Sequence, residues 1–287
     1  MNRDILALIQ ENMDTFSKGQ KRIANYILES YDKAAFMTAS KLGKRVNVSE
    51  STVVRFAAEL GYDGYPSMQR SLQKMIRNRL TSVQRMEVTN DRIGDQDVLD
   101  MVLQSDIDKI RLTLEEIDRE TFDKATDAIV SARRIYVIGL RSSAAIATFL
   151  GFYFNLIFEN VVMIAANTVS EVLESLLRVG EGDVVIGISF PRYSSRAVQA
   201  MSFARDRGAT TIAITDSEVS PLASIAQYTL KARSDMASFV DSLVAPLSLV
   251  NALLVTVSRK KNEDLSKTFQ TLEQIWEEYG VYEKTPE

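Results

Sequence analysis

Ala39 to Gly61, ASKLGKRVNVSESTVVRFAAELG, reads as two short helices joined by a tight turn, the helix-turn-helix arrangement. In the first helix Ala39, Leu42 and Val46 recur at i, i+3 and i+7 and build one narrow apolar face. Asn47 falls at the corner, where the chain needs a residue that tolerates left-handed backbone. Ser49 is placed to N-cap the second helix, its hydroxyl accepting from an N–H one turn in, and Gly61 is placed to end it. Within that helix Val53, Phe56, Ala57 and Leu60 share the inward face, while Ser51, Arg55 and Ala58 point the opposite way.

The outward face is small, polar and basic, which suits the major groove of double-stranded DNA. Small residues permit close approach, hydroxyls donate to phosphates or bases, and an arginine reaches a guanine edge with two hydrogen bonds. Lys44, Ser49, Ser51, Thr52 and Arg55 are the candidate DNA contacts, with Arg55 expected to read a base and Ser51 and Thr52 to position the helix. An ordinary helical hairpin with a solvated outer face is the alternative. Charge distribution weighs against it: residues 1–80 carry 13 Lys or Arg against 8 Asp or Glu, while the whole chain is −4, so the remainder is −9. A basic patch supplies the sequence-independent attraction to phosphates. Arg70, Lys74, Arg77 and Arg79 extend it, the other reading of that run being a solvated helix surface.

At 287 residues the chain has room for two domains. With no cysteine, disulfides, thiolate metal sites and Cys nucleophiles are excluded; with no histidine, so are His-ligated zinc and the Ser-His-Asp and Cys-His mechanisms. No metal or cofactor is expected. The N-terminus, MNRDILALIQENMD, lacks the features of a secretory signal, and no apolar run is long enough to span a membrane, so a cytoplasmic protein is expected.

Before the motif, Ile23, Tyr26 and Ile27 mark a helix packed beneath it. After Leu80, TSVQRMEVTNDRIGDQ loses apolar periodicity, which sets a helix-turn-helix domain over 1–80, a linker over 81–96 and a second domain over 97–287. Val98, Val102, Ile110, Leu114 and Ile117 return as the apolar positions of a helix over 97–117. A second helix is expected over 121–132. Apolar runs at 135–139, 161–165, 183–189, 210–215 and 228–232 then alternate with helical stretches at 142–159, 169–179 and 194–207. The expectation is an N-terminal all-α domain followed by an α/β domain, a parallel sheet between two helical layers. Val240 to Lys260 is an apolar helix that must be buried in its own subunit or against another.

In such a sheet ligands bind beyond the carboxyl ends of the strands. Two loops there, Gly139-Leu140-Arg141-Ser142-Ser143 and Ser189-Phe190-Pro191-Arg192-Tyr193-Ser194-Ser195-Arg196, place hydroxyls and guanidinium groups where a helix begins. Unpaired N–H groups and the helix dipole favour an anion at that point. Each serine is alternatively a helix N-cap.

Together these segments resemble the RpiR (MurR/RpiR) family of bacterial transcriptional regulators, an N-terminal helix-turn-helix followed by a sugar isomerase (SIS) domain, over nearly the whole length. VSESTVVRFAAELGYDGY (48–65) is similar to the family's recognition helix and the aromatic segment after it. IYVIGLRSSAAIA resembles the first SIS loop, with Ser143 at the place of its ligand-binding serine, and the segment from Gly182 to Ala223 resembles the second loop and the strand after it. The chain departs from the usual Ser-x-Ser-Gly-x-Thr phosphate loop: Ser189 and Ser194 keep the first Ser and the Thr positions, while Pro191 and Arg192 replace Ser-Gly, and Arg141 stands where Gly is common. Loss of glycine restricts backbone approach to a phosphate, whereas two added guanidinium groups make the pocket more cationic.

The resemblance implies a regulator of carbohydrate metabolism genes whose affinity for a DNA operator responds to a phosphorylated sugar or sugar acid. Arg141, Ser142, Ser143, Ser189, Arg192, Tyr193, Ser194 and Ser195 would line the effector site. A homodimer or homotetramer is expected, the apolar stretch Ser242 to Val257 favouring association. The competing reading is a sugar-phosphate isomerase with an accessory helical domain. It lacks a histidine base, and Glu171 and Glu174 are the nearest carboxylates.

Overall fold

In the computed structural model the described residues are 5–76, 80–93, 97–165, 168–236 and 238–283. The chain divides into two compact units, one of Met1–Val102 with Met236–Asp241, the other of Leu103–Asp235 with Ser242–Glu287.

The first unit is helical. It contains α1 (Ile5–Glu11), α2 (Lys18–Glu29), α3 (Tyr31–Ala34), α4 (Ala39–Val46), α5 (Glu50–Glu59), α6 (Tyr65–Ile76), α7 (Ser82–Ile93) and the start of α8 (Val98–Glu116). Its core joins Ile9 of α1, Ile23 and Ile27 of α2, Leu42 of α4, Val53 and Phe56 of α5 and Met68 and Leu72 of α6. Helix α2 begins with a reciprocal capping box between Ser17 and Gln20, which satisfies two end donors that the first turn leaves without partners.

Residues 82–93 correct the sequence expectation of an irregular linker, because they form α7. Its buried face carries Arg85, Val88 and Thr89, at i, i+3 and i+4. Two of these three are polar, so the helical period does not show as apolar periodicity. Arg85 is 1% exposed, and its Nη1 donates at 2.9 Å to Oδ1 of Asp241. Asp241 belongs to the same unit although it follows the sheet in chain order, as does Met236, which is buried in the helical core.

The second unit carries α9 (Arg119–Val130), β1 (Arg134–Gly139), α10 (Ser143–Ile157), β2 (Val161–Ile164), α11 (Val169–Ser175), β3 (Asp183–Ile188), α12 (Ser195–Asp206), β4 (Thr210–Thr215), β5 (Tyr228–Lys231), α13 (Val244–Lys260) and α14 (Asn262–Glu278). The strands form one parallel sheet in the order β2-β1-β3-β4-β5. Side chains alternate between its faces. Ile135 and Val137 join the core made with α9, α10 and α13, whereas Tyr136 and Ile138 join the core made with α11 and α12. These are the three layers expected from nearly continuous apolar strands.

Two apolar helices are placed differently. Helix α13 buries Leu249, Val250, Leu253 and Val257 in the core of its own unit, which accounts for most of its apolar character. The apolar positions of α8 do the opposite. Leu103, Ile107, Ile110 and Leu114 are all exposed, Leu114 by 60%, while the buried residues of that helix are Lys109 and Thr113. Lys109 Nζ donates to Ser105 Oγ at 2.9 Å and to Asp106 Oδ1 at 3.0 Å, and Thr113 Oγ1 accepts from the Arg233 N–H at 2.9 Å. Of the positions expected from the sequence, Val98, Ile110 and Leu114 are exposed, while Val102 and Ile117 are half-buried, Ile117 against the core of the sheet unit; Leu103, Ile107, Ile110 and Leu114 form a surface stripe. No helix among the described residues is long and apolar enough to cross a membrane.

Candidate functional site

Helices α4 and α5 meet through a corner built as the sequence indicates. Asn47 has φ 56° and ψ 55°, the left-handed region, and its N–H closes onto the end of α4. Gly43 has no room for a side chain, since a Cβ there would lie 2.8 Å from the Val48 carbonyl oxygen. Arg22 of α2 reaches across to donate from Nη1 to the Asn47 carbonyl at 3.0 Å. Helix α5 starts at Ser49, whose Oγ accepts from the Thr52 N–H at 3.3 Å. At its end the Gly61 N–H donates to the Ala58 carbonyl and the Tyr62 N–H to that of Ala57, a Schellman closure with Gly61 at φ 85°.

Val53, Phe56, Ala57 and Leu60 are buried, and Ser51, Arg55 and Ala58 are exposed, as are Lys44 and Ser49. Ser49 Oγ lies 2.8 Å from both Ser51 Oγ and Thr52 Oγ1, so three hydroxyls cluster at the start of the helix. Thr52 is half-buried against the first turn of α2, where a Cβ on Gly19 would lie 3.5 Å from its Cγ2. Helix α5 packs on α2, and Thr52 is only partly on the exposed face. Of the basic residues that continue the patch, Arg70 is exposed. The side chain of Lys74 and residues Arg77 and Arg79 lie outside the described residues.

The two serine-rich loops lead from β1 and β3, neighbours in the sheet with Gly139 paired to Ile188. Gly139 admits no side chain, because a Cβ would lie 2.6 Å from the Ser143 carbonyl oxygen. The close approach draws the first turn of α10 onto the strand end. Arg141 and Arg192 both adopt left-handed backbone, φ 59° and 61°. The chain thus keeps, with arginine, a conformation that glycine adopts without cost, at about 1–2 kcal/mol for each residue. The side chains of both are exposed.

Helix α10 begins at Ser142 with no side-chain cap, and Ser142 itself is exposed. Ser143, in the first turn, is only 4% exposed. Ser189 is buried, and its Oγ accepts from the Ser194 N–H at 3.1 Å, closing the second loop on itself. Ser194 caps α12 by accepting from the Ala197 N–H at 3.4 Å, so for this residue the N-cap reading holds; Ser195 follows as an exposed residue of the first turn.

Sequence reasoning missed Asp216. Tyr193 Oη donates to its Oδ1 at 2.7 Å, which fixes the phenol against the residue that follows β4. A lone aspartate after a strand carries no signal by itself; the pairing appears only once the third and fourth strands are neighbours. Arg233, two residues beyond β5, lies in the same field. Burial opposes its charge, but its hydrogen bond to Glu116 and the negative charges of Glu116, Asp235 and Asp216 outweigh that and raise its pKa. A groove of about 480 Å³ lies elsewhere in this unit, between α8, α9 and α13, lined by Ile110, Leu114, Phe122 and Leu249 among others. Its largely apolar walls suit a protein surface better than a charged sugar.

Comparison with known proteins follows this division. Residues 3–79 match the rpiR family helix-turn-helix domain and residues 128–256 match the SIS domain. An HTH-type transcriptional regulator of Caldanaerobacter subterraneus is 25% identical over 95% of this chain and 96% of its own. The HTH-type transcriptional regulator HexR of Escherichia coli is 27% identical over 77% and 74% respectively. Among solved structures, the sugar isomerase domain of an RpiR transcription factor from Sphaerobacter thermophilus is 30% identical, covers 61% of this chain and 97% of that one, and superimposes with a TM-score of 0.58. The Vibrio vulnificus NanR protein complexed with ManNAc-6P, 23% identical with a TM-score of 0.60, shares the fold over 97% of this chain and 99% of its own. These sequence relatives are named as transcriptional regulators, which supports the regulator reading over the isomerase alternative. The chain belongs to the RpiR family of helix-turn-helix transcriptional regulators that carry a SIS domain.

Proposed function

We propose that this regulator binds a DNA operator through Lys44, Ser49, Ser51, Thr52 and Arg55, and that a phosphorylated sugar or sugar acid held by the β1 and β3 loops changes its affinity for that operator. The observation that carries the effector site is the start of α10: a helix N-terminus with no side-chain cap, with Ser143, only 4% exposed, in its first turn. Such an end offers backbone N–H groups and positive potential to an anion, and Ser143 adds a donor. Ser189 shapes the second loop, Ser194 presents the start of α12, and Arg141 and Arg192 supply positive charge at the rim. Tyr193, fixed by Asp216, and the exposed Ser142 and Ser195 complete the lining. The NanR complex, a protein of the same fold with a sugar phosphate, supports this ligand class.

The helical module over residues 1–80 acts in the cytoplasm on carbohydrate genes, and the module over 97–287 supplies effector binding and association. Two copies pair through the exposed stripe of α8 and the adjoining apolar groove. Leu103, Ile107, Ile110 and Leu114 follow the four-three-four spacing of a helix seam, and paired half-sites on DNA require a two-fold protein.

A thermal-shift screen of sugar 6-phosphates and phosphorylated sugar acids, followed by calorimetry, tests the effector site. A ligand at 100 times its Kd stabilises the protein by about 2.7 kcal/mol. Ser143→Ala and Arg192→Gly should each weaken binding by about 1.5–3 kcal/mol, the worth of a hydrogen bond to a charged group. Glycine adopts the φ of 61° at position 192 without strain, so that variant keeps the loop and removes only the guanidinium. Unchanged affinity in both variants places the ligand elsewhere, and conversion of the compound into an isomer contradicts the regulator reading.

A further inference from the structure

Val54 is 41% exposed in the middle of α5. At about 100° per residue it stands on the outward side with Ser51, Arg55 and Ala58, within an arc of roughly 100°. The opposite side is filled by the buried Val53, Phe56, Ala57 and Leu60, so Val54 contributes nothing to the core. A solvent-facing valine is also a poor choice for a helix, because its branched Cβ loses rotamer freedom there and alanine is favoured. Position 54 therefore bears a small folding cost without joining the core. Beside it Ser51 and Arg55 are suited to hydrogen bonding, and its own two methyl groups are not. The major groove presents one apolar group to a protein, the C5-methyl of thymine.

We infer that Val54 is a specificity-determining residue that reads a thymine methyl group beside the base contacted by Arg55. The inference rests on the reading of α5 as the DNA-contacting helix. It predicts an operator with a fixed thymine in each half-site, recognised by contact rather than by hydrogen bonding. The discrimination should be modest: burying one methyl group is worth about 0.8 kcal/mol, roughly fourfold in affinity.

The experiment selects duplexes from a random pool with the full-length protein, then replaces each fixed thymine in turn with deoxyuridine, which deletes only the methyl. For the parent, one replacement per half-site should weaken binding about fourfold. Val54→Ala, whose fold is checked by circular dichroism, should bind the thymine and uracil duplexes equally and lose that thymine on reselection, while keeping the base specified by Arg55. If no uracil replacement weakens the parent, or if Val54→Ala retains the full uracil penalty, the assignment is wrong. If the pool yields no preferred sequence and Arg55→Ala binds as the parent does, the underlying reading of α5 fails and this inference fails with it.

Discussion

Removing the Asp241 carboxylate breaks a buried ion pair in the helical unit. Arg85 is 1% exposed and pairs with Asp241, itself 13% exposed, at 2.9 Å. A guanidinium does not shed its proton in a protein, so Asp241→Ala takes the Asp241 ion pair from a cation that stays buried. Breaking such a pair by deleting one partner costs about 3–5 kcal/mol, and the slight exposure of Asp241 places the expectation near the lower value. That is a large share of the roughly 5–15 kcal/mol that stabilises a typical protein. In urea, with a slope of about 1–3 kcal/mol per M, the midpoint should fall by at least about 1 M. The unfolding of full-length protein is followed by far-ultraviolet circular dichroism, which sees both units, and by fluorescence of Trp276 in α14, which reports on the sheet unit. The helical transition should move and the Trp276 transition should not. Replacing both partners, Arg85→Met with Asp241→Leu, should restore most of the loss, because no charge is then buried. A loss under about 1 kcal/mol for Asp241→Ala, or a double variant as unstable as the single one, would refute the reasoning.

Burial pushes the Tyr65 hydroxyl up from 10.0 to about 12. An unfolded tyrosine ionises first, so the unfolded state binds fewer protons between those values. Stability should therefore be intact below pH 10 and fall by about 2–3 kcal/mol as pH rises to 12; Tyr65→Phe should lose that slope in alkaline urea titrations, at a neutral-pH cost of about 0.5–1.5 kcal/mol for its hydrogen bond to Met37. Leu114→Glu, on the exposed stripe of α8, should lower the mass measured by light scattering without lowering the melting temperature; an unchanged mass would remove that face from the association surface. Lys44→Ala should reduce the slope of log affinity against log salt by about 1 and leave the ranking of DNA sequences unchanged, as read by fluorescence anisotropy.

The helix-turn-helix was legible because every local signal agreed: apolar spacing, Asn47 at the corner, Ser49 at the cap and Gly61 at the close all found their places. The strands were legible for a related reason, since a sheet covered on both faces writes itself as unbroken apolar runs such as Val184 to Ile188. Reading failed where burial and polarity part company. Helix α7 hides Arg85 and Thr89 and looked like a linker; α8 buries Lys109 and Thr113 and exposes its leucines and isoleucines, so its apolar spacing marks a helix without marking the buried face. Hydrophobic patterns record which side is apolar, and an apolar side can be kept for a partner. The loops at 139–143 and 189–196 were found by position and composition, but their geometry was not. The left-handed Arg141 and Arg192 defy residue preference, and the Tyr193–Asp216 bond joins positions 23 apart in the chain.

The most direct test of the account is the affinity of the full-length protein for its selected operator duplex, measured by fluorescence anisotropy with and without the sugar phosphate that gives the largest thermal shift. Coupling between two sites in regulators of this kind typically amounts to 1–3 kcal/mol, or about 5–150-fold. The account predicts a change in operator Kd within that range at a ligand concentration just sufficient to saturate the parent, and a much smaller change at that same concentration in Ser143→Ala, whose affinity for the operator without ligand matches the parent. An operator Kd that does not move at that ligand concentration, or one that moves equally there in Ser143→Ala, would contradict it.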